Sequence, residues 1–432
     1  MKTNRRKFLS TASVLGGVTA IAPITSCRSP YSSTTSPSDY SDLDEALRMP
    51  VLRKELFCDP VIIDKLELLR DRNNFIYRVR SGEGAEGISI GHPNIARNSY
   101  PMFEYSLHHH FVGKDARDLD NLLFNAVERN IKRQGVPLCV HIAGIEFAIL
   151  DMLGNLADLP VGKLIGDIHF PEVVVYLGTR YTEMRRMPPG ESLELVQKDY
   201  EETGARAIKI RAGRGDNLGS DIDVSPGHTE KLIRMARERF GKEMVLMIDG
   251  NGSYSPEEAI RIGRILEEHD FYFYEESVPW DWYEEQKQVA DALSIPMAGG
   301  EEEFGMHAFR WLIANDAFEI LQPDAFYFGG MIRSMQVARM AAARGKTMVP
   351  HMSTGGLGWL YNVHFVSACP NAGEYHEFKL FASKDGNGTN IPVESKTEAF
   401  SSMDGVVKVP TGPGLGIVID PDYIKTHQVI SG

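Results

Sequence analysis

Seven residues spread between positions 211 and 377 carry most of the chain's reactive chemistry. Arg211 ends the run AIKIR, Asp249 ends VLMID, Glu275 follows FYFY, and Glu301 follows AGG; Asp324 then sits in LQPDAF, His351 in MVPHMS and Glu377 in YHEF. From Asp249 onward they recur every 23 to 27 residues, the length of one strand, one loop and one helix. Asp249, Glu275 and Glu301 would bring three carboxylates together from three successive strand ends. Their mutual repulsion calls for a cation, and an all-oxygen set with open positions suits octahedral Mg2+. Asp324 and His351 end two later repeats. A carboxylate on one imidazole nitrogen fixes the tautomer and leaves the other nitrogen basic. Lys209 and Arg211, two residues apart, share one strand face, where two neighbouring cations call for an anion between them. Unrelated surface acids and an incidental core histidine are the plainer readings, and the matched strand-end positions argue against both.

A metal with proton-transfer groups on opposite sides describes abstraction of a proton α to a carboxylate. That carbon acid is weak, so the enediolate needs electrostatic stabilisation from the metal and from surrounding donors. Glu377, if protonated, would donate a hydrogen bond to the intermediate's other oxygen. Asn251, two residues past Asp249, and Tyr176 on the first strand of the series are candidate substrate contacts.

The elements that position these residues are legible in the flanking pattern. Short apolar runs precede each loaded residue, as buried parallel strands do. The run Ser255-Pro256-Glu257-Glu258 reads as a capping box that starts a helix. Alternating strands and capped helices predict a parallel barrel over 169–380, with the loaded residues on its C-terminal rim. From 43 to 168 the pattern differs: Phe75 to Arg80 alternates as a strand, while Asp118 to Lys132 and Ala143 to Leu156 read as helices. A separate α+β domain follows, to which residues 381–432 are expected to return. His108-His109-His110 reads as a loop near the site rather than a metal cluster, since adjacent side chains diverge.

The chain has 432 residues, 43% hydrophobic and 24% charged, with a net charge of −13. That is ordinary globular composition, and its acidity argues against a nucleic-acid partner. Asn4 to Leu9 forms a twin-arginine pattern, and Ile24-Thr25-Ser26-Cys27 resembles a lipobox. Residues 1–27 are therefore expected to direct export to the periplasm, with Cys27 as a lipid anchor and a plain cleavable signal as the alternative. The Ser/Thr/Pro-rich stretch 28–42 reads as a tether. Cys58, Cys139 and Cys369 have no paired spacing and imply free thiols.

Together these motifs resemble the enolase superfamily, in its mandelate racemase subgroup. The resemblance runs from about Phe57 to Asp420 and includes the helix GIEFAILDMLGNLADLPVGKLIG and the closing GPGLG at Gly412 to Gly416. It implies a modified (β/α)7β TIM barrel with an α+β cap made from both chain ends. It also implies Asp249, Glu275 and Glu301 as ligands of one Mg2+, Asp324–His351 as the acid/base dyad, Glu377 as the acid ending the eighth strand, and a homo-oligomer acting on a small carboxylate. The family's second strand usually presents Lys-x-Lys, and here the second position is Arg211. Arginine is not deprotonated in proteins and is a poor base. Racemisation needs a base on each face of the carbon, whereas dehydration of a β-hydroxy acid needs one. An acid-sugar dehydratase is the first expectation and a racemase or epimerase the second. A cycloisomerase usually relies on the paired lysines, and a non-catalytic exported sugar-acid-binding protein would have no need of the dyad.

Overall fold

The computed structural model describes residues 39–178, 185–215, 218–378 and 402–432. The smaller unit is a cap built on the antiparallel strands β1 (Ile63–Asp71), β2 (Asn74–Ser81) and β3 (Glu86–Ile90). Against them lies α1 (Val136–Ala157), in which every residue from Leu138 to Gly154 is buried. A helix that is apolar all round must be enclosed on every side, and this one is packed between the cap sheet and the barrel. It therefore starts before the expected Ala143, with Pro137 in its first turn, and it ends at Asp158 in the left-handed region. The second expected cap helix is shorter than predicted, Leu119–Glu128, followed by a separate turn at Ile131–Arg133.

The larger unit consists of eight parallel strands: β4 (Glu172–Gly178), β5 (Ala207–Arg211), β6 (Val245–Asp249), β7 (Tyr274–Glu275), β8 (Met297–Gly299), β9 (Ile320–Leu321), β10 (Thr347–Met348) and β11 (His376–Phe378). They pair in sequence order from β4 to β10, and β11 pairs with β4. A bridge from Met348 to Ala372 spans the seam between β10 and β11. Seven helices alternate with the strands: α2 (Pro189–Thr203), α3 (His228–Phe240), α4 (Pro256–Glu268), α5 (Tyr283–Ala292), α6 (Met306–Ala314), α7 (Met331–Ala343) and α8 (Leu357–Ala368). This is the expected (β/α)7β barrel. Ser255 caps α4 as its sequence predicts, accepting from the Glu258 N–H at 3.4 Å, and Ala259, Ile262 and Leu266 are buried on its inner face. Inside the strands a plug of Tyr176, Ala207, Met247, Phe273, Ala298, Ile320 and Val349 fills the barrel below the rim.

Two expectations about the chain ends need correcting. A helix already begins at Ser41, inside the stretch read as tether, and salt bridges from Asp42 to Arg344 and Asp44 to Arg310 fasten it to the barrel helices. Near the other end, Val406–Lys408 pairs antiparallel with β4 of the barrel, so only the later part of this segment joins the cap: Gln428–Ser431 adds to the free edge of β1. Residues 1–38, including Cys27, and 379–401 lie outside the described residues. Cys58 is exposed, Cys139 and Cys369 are buried, and all three are free.

A carboxylate on α1 joins the two units. Glu146 is fully buried and accepts from the N–H groups of Met331 (2.6 Å) and Ile332 (2.9 Å), capping the start of α7 from the other unit. Gly330, at φ 119°, makes this approach possible, because a Cβ there would lie 2.2 Å from the Glu146 carboxylate. Burial pushes Glu146 up to about 8, against the opposing pull of the two N–H donors. One and a half turns on, Asp151 accepts from Ile88 on β3 and from Leu415 in the closing segment. Replacing Glu146 with Ala should leave buried N–H groups unpaired and cost about 2–3 kcal/mol, seen as a lower urea midpoint. A loss of only a few tenths would mean that the cap and barrel hold together without it.

Candidate active site

The strand ends deliver their polar residues to one rim. Asp249 pairs in register with Arg211 on β5 and with Glu275 on β7, so all three stand at one height. Glu301 follows β8 after two glycines, Gly299 and Gly300, whose missing side chains leave room for Phe318 and Phe309. The structure brings one oxygen each of Asp249, Glu275 and Glu301 to within 4.8 Å of one another. None of the three is more than 6% exposed. Asp249 Oδ2 and Glu301 Oε2 are buried and accept no hydrogen bond among the described residues. Burial, with Asp249 and Glu275 adding to it against the pull of His351, pushes Glu301 up to about 8. All-oxygen and buried, with one oxygen each of Asp249 and Glu301 left unpaired among the described residues, the cluster fits a hard divalent cation.

Lys209 points inward. Its ammonium stands 2.5 Å from Glu275 Oε1 and 3.6 Å from Glu377 Oε1, above the ring of Tyr176. Burial works against its charge, but Glu275 and Glu377 outweigh burial and hold the group well above its usual pKa. The other oxygen of Glu275 accepts from Gln322 Nε2 at 2.8 Å. Gln322 escaped the sequence reading, although it lies two residues before Asp324 and so on the same face of the chain as it leaves β9.

On the opposite side, His351 Nδ1 is 3.0 Å from Asp324 Oδ2. Asp324 also accepts from the N–H groups of Phe326 (2.8 Å), Tyr327 (3.0 Å) and Ser353 (2.8 Å). Burial alone would raise Asp324, but the imidazole and these donors hold it below the usual carboxylate range. The His351 Nε2 atom turns toward the other acids, 3.5 Å from Glu301 Oε2 and 3.8 Å from Glu377 Oε2. Glu377 Oε2 accepts from the Met352 N–H at 3.1 Å. Gly178, at the end of β4, makes space for it, since a Cβ there would lie 2.5 Å from Glu377 Oε1.

Arg211 continues the face of Lys209 toward the solvent, donating to Asn251 Oδ1 at 3.0 Å with its Nε 3.9 Å from Asp249 Oδ2. Asn251, at φ 41°, is held by its own N–H on Asp249 Oδ1. Its side-chain oxygen also accepts from Arg185, a second residue that carried no periodic signal in the sequence. Of the two candidate substrate contacts, Asn251 lines the cleft at the mouth. Tyr176 lies instead in the barrel plug, fully buried beneath Lys209. Trp280 lines the cleft, whereas Tyr283 stacks on Trp311 and bonds Glu303. The three histidines are not a loop: His108–Phe111 forms a helical turn of the cap.

Two family models match the chain: "Enolase C-terminal domain-like" over residues 191–423 and "Mandelate racemase / muconate lactonizing enzyme, N-terminal domain" over 69–166. An arabinonate dehydratase of Saccharolobus solfataricus is 27% identical over 68% of this chain and 74% of its own length. A D-xylonate dehydratase of Haloferax volcanii is 28% identical over 74% of this chain and 77% of its own. A mandelate racemase/muconate lactonizing protein from Paracoccus denitrificans, solved in complex with magnesium, superposes with a TM-score of 0.74 at 26% identity, covering 86% of this chain and 99% of that one. Both units of the structure are thus covered, and the chain belongs to the mandelate racemase/muconate lactonizing enzyme family of the enolase superfamily.

Proposed function

We propose that this protein is a Mg2+-dependent hydro-lyase that dehydrates an acid sugar to a 2-keto-3-deoxy acid. The observation that carries the reading is the asymmetry across the carboxylate triad: an imidazole oriented by Asp324 on one side, a permanent cation, Arg211, on the other. One base suffices for elimination, while inversion at carbon needs two. The dehydratase names of the two relatives support the same class.

In this reading Asp249, Glu275 and Glu301 would hold Mg2+, which would supply positive charge against the developing enediolate. Lys209 and Arg211 orient that carboxylate and add positive charge beside it. His351 Nε2 takes the α-proton, its imidazolium stabilised by Asp324. Glu377 stands beside the Lys209 ammonium at the same rim and, if it takes up a proton, donates a hydrogen bond to the enediolate. His351 then returns the proton to the β-hydroxyl, the C–O bond breaks, and water leaves. The resulting enol tautomerises to the keto acid. Export by the twin-arginine route, acylation at Cys27 and homo-oligomeric assembly belong to the same proposal.

Metal binding is testable without turnover. Mg2+ at 100 times its Kd should stabilise the protein by about 2.7 kcal/mol, EDTA should reverse the gain, and Glu301→Gln should abolish it in thermal melts. A wild-type protein indifferent to Mg2+ would remove the metal from the proposal. For the reaction, the leaderless protein would be incubated in D2O with aldonic and aldaric acids. Keto acid should form, disappear with EDTA, and fall roughly 10²–10⁴-fold in His351→Ala. Deuterium incorporation with inversion and no keto acid would instead reveal a second base and a racemase. Gly178→Ala, which crowds Glu377, should cost roughly tenfold to a hundredfold in kcat with the melting temperature nearly unchanged.

A further inference from the structure

Phe326 lies in the turn that follows β9, on the barrel rim, and its N–H helps to hold Asp324. Two polar groups that take no part in the dyad meet around its ring, one from each unit. The cap supplies His92. The chain leaves β3 through Gly91, and His92 then starts a short helix, Pro93–Ser99. Its ring meets Phe326 edge-on, with centroids 5.8 Å apart, and lies 5.5 Å from the ring of Tyr327. Tyr327 in turn stands 6.4 Å from the ring of His351. His92 is thus one aromatic ring away from the base.

The two nitrogens of His92 are placed differently. Nδ1 accepts from the Ile95 N–H, as an N-cap does. Burial holds the ring below the usual histidine pKa, against the pull of Asp324. A neutral imidazole that accepts at Nδ1 carries its proton on Nε2. That nitrogen is buried without a hydrogen-bond partner among the described residues, in a side chain only 4% exposed. The barrel supplies the second group, Thr354 Oγ1, which is buried and unpaired in the same way. It lies beside the same ring, because a Cβ on Gly358 would fall 1.8 Å from this oxygen and 3.4 Å from Phe326 Cε2. Buried polar groups left without partners cost stability and call for an occupant. Neither group is charged, so the pair is ill suited to an anion. A hydroxyl, which both accepts and donates, matches an N–H and a second hydroxyl.

We propose that His92 and Thr354 form a subsite for one hydroxyl of the substrate, with His92 Nε2–H donating to it, so that the cap reads the configuration of the carbon bearing that hydroxyl. The proposal rests on the acid-sugar reading above and deepens it. A 2-hydroxy acid with a hydrocarbon tail would leave both groups unpaired.

Two variants test this in the leaderless, Mg2+-loaded protein. His92→Asn retains an N-cap for the helix but is too short to place a donor where Nε2 stands. Thr354→Val retains the branched shape and removes the hydroxyl. The probes are the best-used acid sugar of the panel above and analogues of it lacking one hydroxyl at a time, in D2O, with keto acid and α-deuterium exchange both followed. Each variant should lower kcat/KM roughly tenfold, yet melt at or above the wild-type temperature and keep the full Mg2+-dependent stabilisation. One deoxy analogue should lose a similar factor in the wild type and lose nothing further in His92→Asn. Unchanged kcat/KM in both variants would overturn the subsite. So would a lower melting temperature in both, which would show the groups to be paired within the protein, and so would deoxy losses that all add to that of His92→Asn. Exchange without keto acid, slowed by both variants, would remove the dehydratase reading and leave the subsite standing. Neither keto acid nor exchange from any acid sugar would overturn both.

Discussion

The mutual repulsion of buried carboxylates at the barrel mouth is the constraint around which the rest is arranged. Asp249, Glu275, Glu276, Glu301, Asp324 and Glu377 are each at most 6% exposed. Ionised acids at that depth are tolerated only where charge and donors are supplied to them. Each is answered differently. Asp324 receives three backbone N–H groups and an imidazole. Glu275 receives an ammonium and an amide. Glu276 and Glu301 are pushed upward, chiefly by burial and then, for Glu276, by Glu301 itself. Satisfied acids and unsatisfied ones stand side by side, and oxygens that accept no hydrogen bond among the described residues fall on Asp249, Glu276 and Glu301.

The scaffold that holds the acids in place is stiff for an identifiable reason. The interior plug packs aromatic and aliphatic side chains under the rim, with Tyr176 directly below Lys209. Lys209 therefore has an apolar floor and carboxylate walls, and its stem cannot swing without disturbing packed neighbours. The cap is coupled to the same frame through α1, whose Glu146 terminates α7, the helix between the strands that carry Asp324 and His351. A cap residue thus helps fix the helix that follows the dyad's carboxylate.

Most of the barrel was legible because a buried parallel strand ending in a polar residue is a strong pattern when repeated. Asp249, Glu275, Glu301, Asp324, His351 and Glu377 all announced themselves by interval and by the apolar run before them. Gln322 and Arg185 did not. The first is masked by its loaded neighbour Asp324, and the second lies in a connection without periodicity. Tyr176 was misjudged because alternation places a strand residue on a face without saying at what height in the barrel it stands. The start of α1 was misplaced for a similar reason: a helix buried on all sides has no polar stripe to mark where it begins.

The cap sheet takes its outer strand from Gln428–Ser431, paired with β1 some 360 residues earlier in the chain. Closing the cap sheet therefore joins segments far apart in the chain, a non-local pairing that is favourable only once the elements between them are packed. Without Gln428–Ser431 the outer edge of β1 would be left with unpaired backbone groups, a template for pairing with another chain.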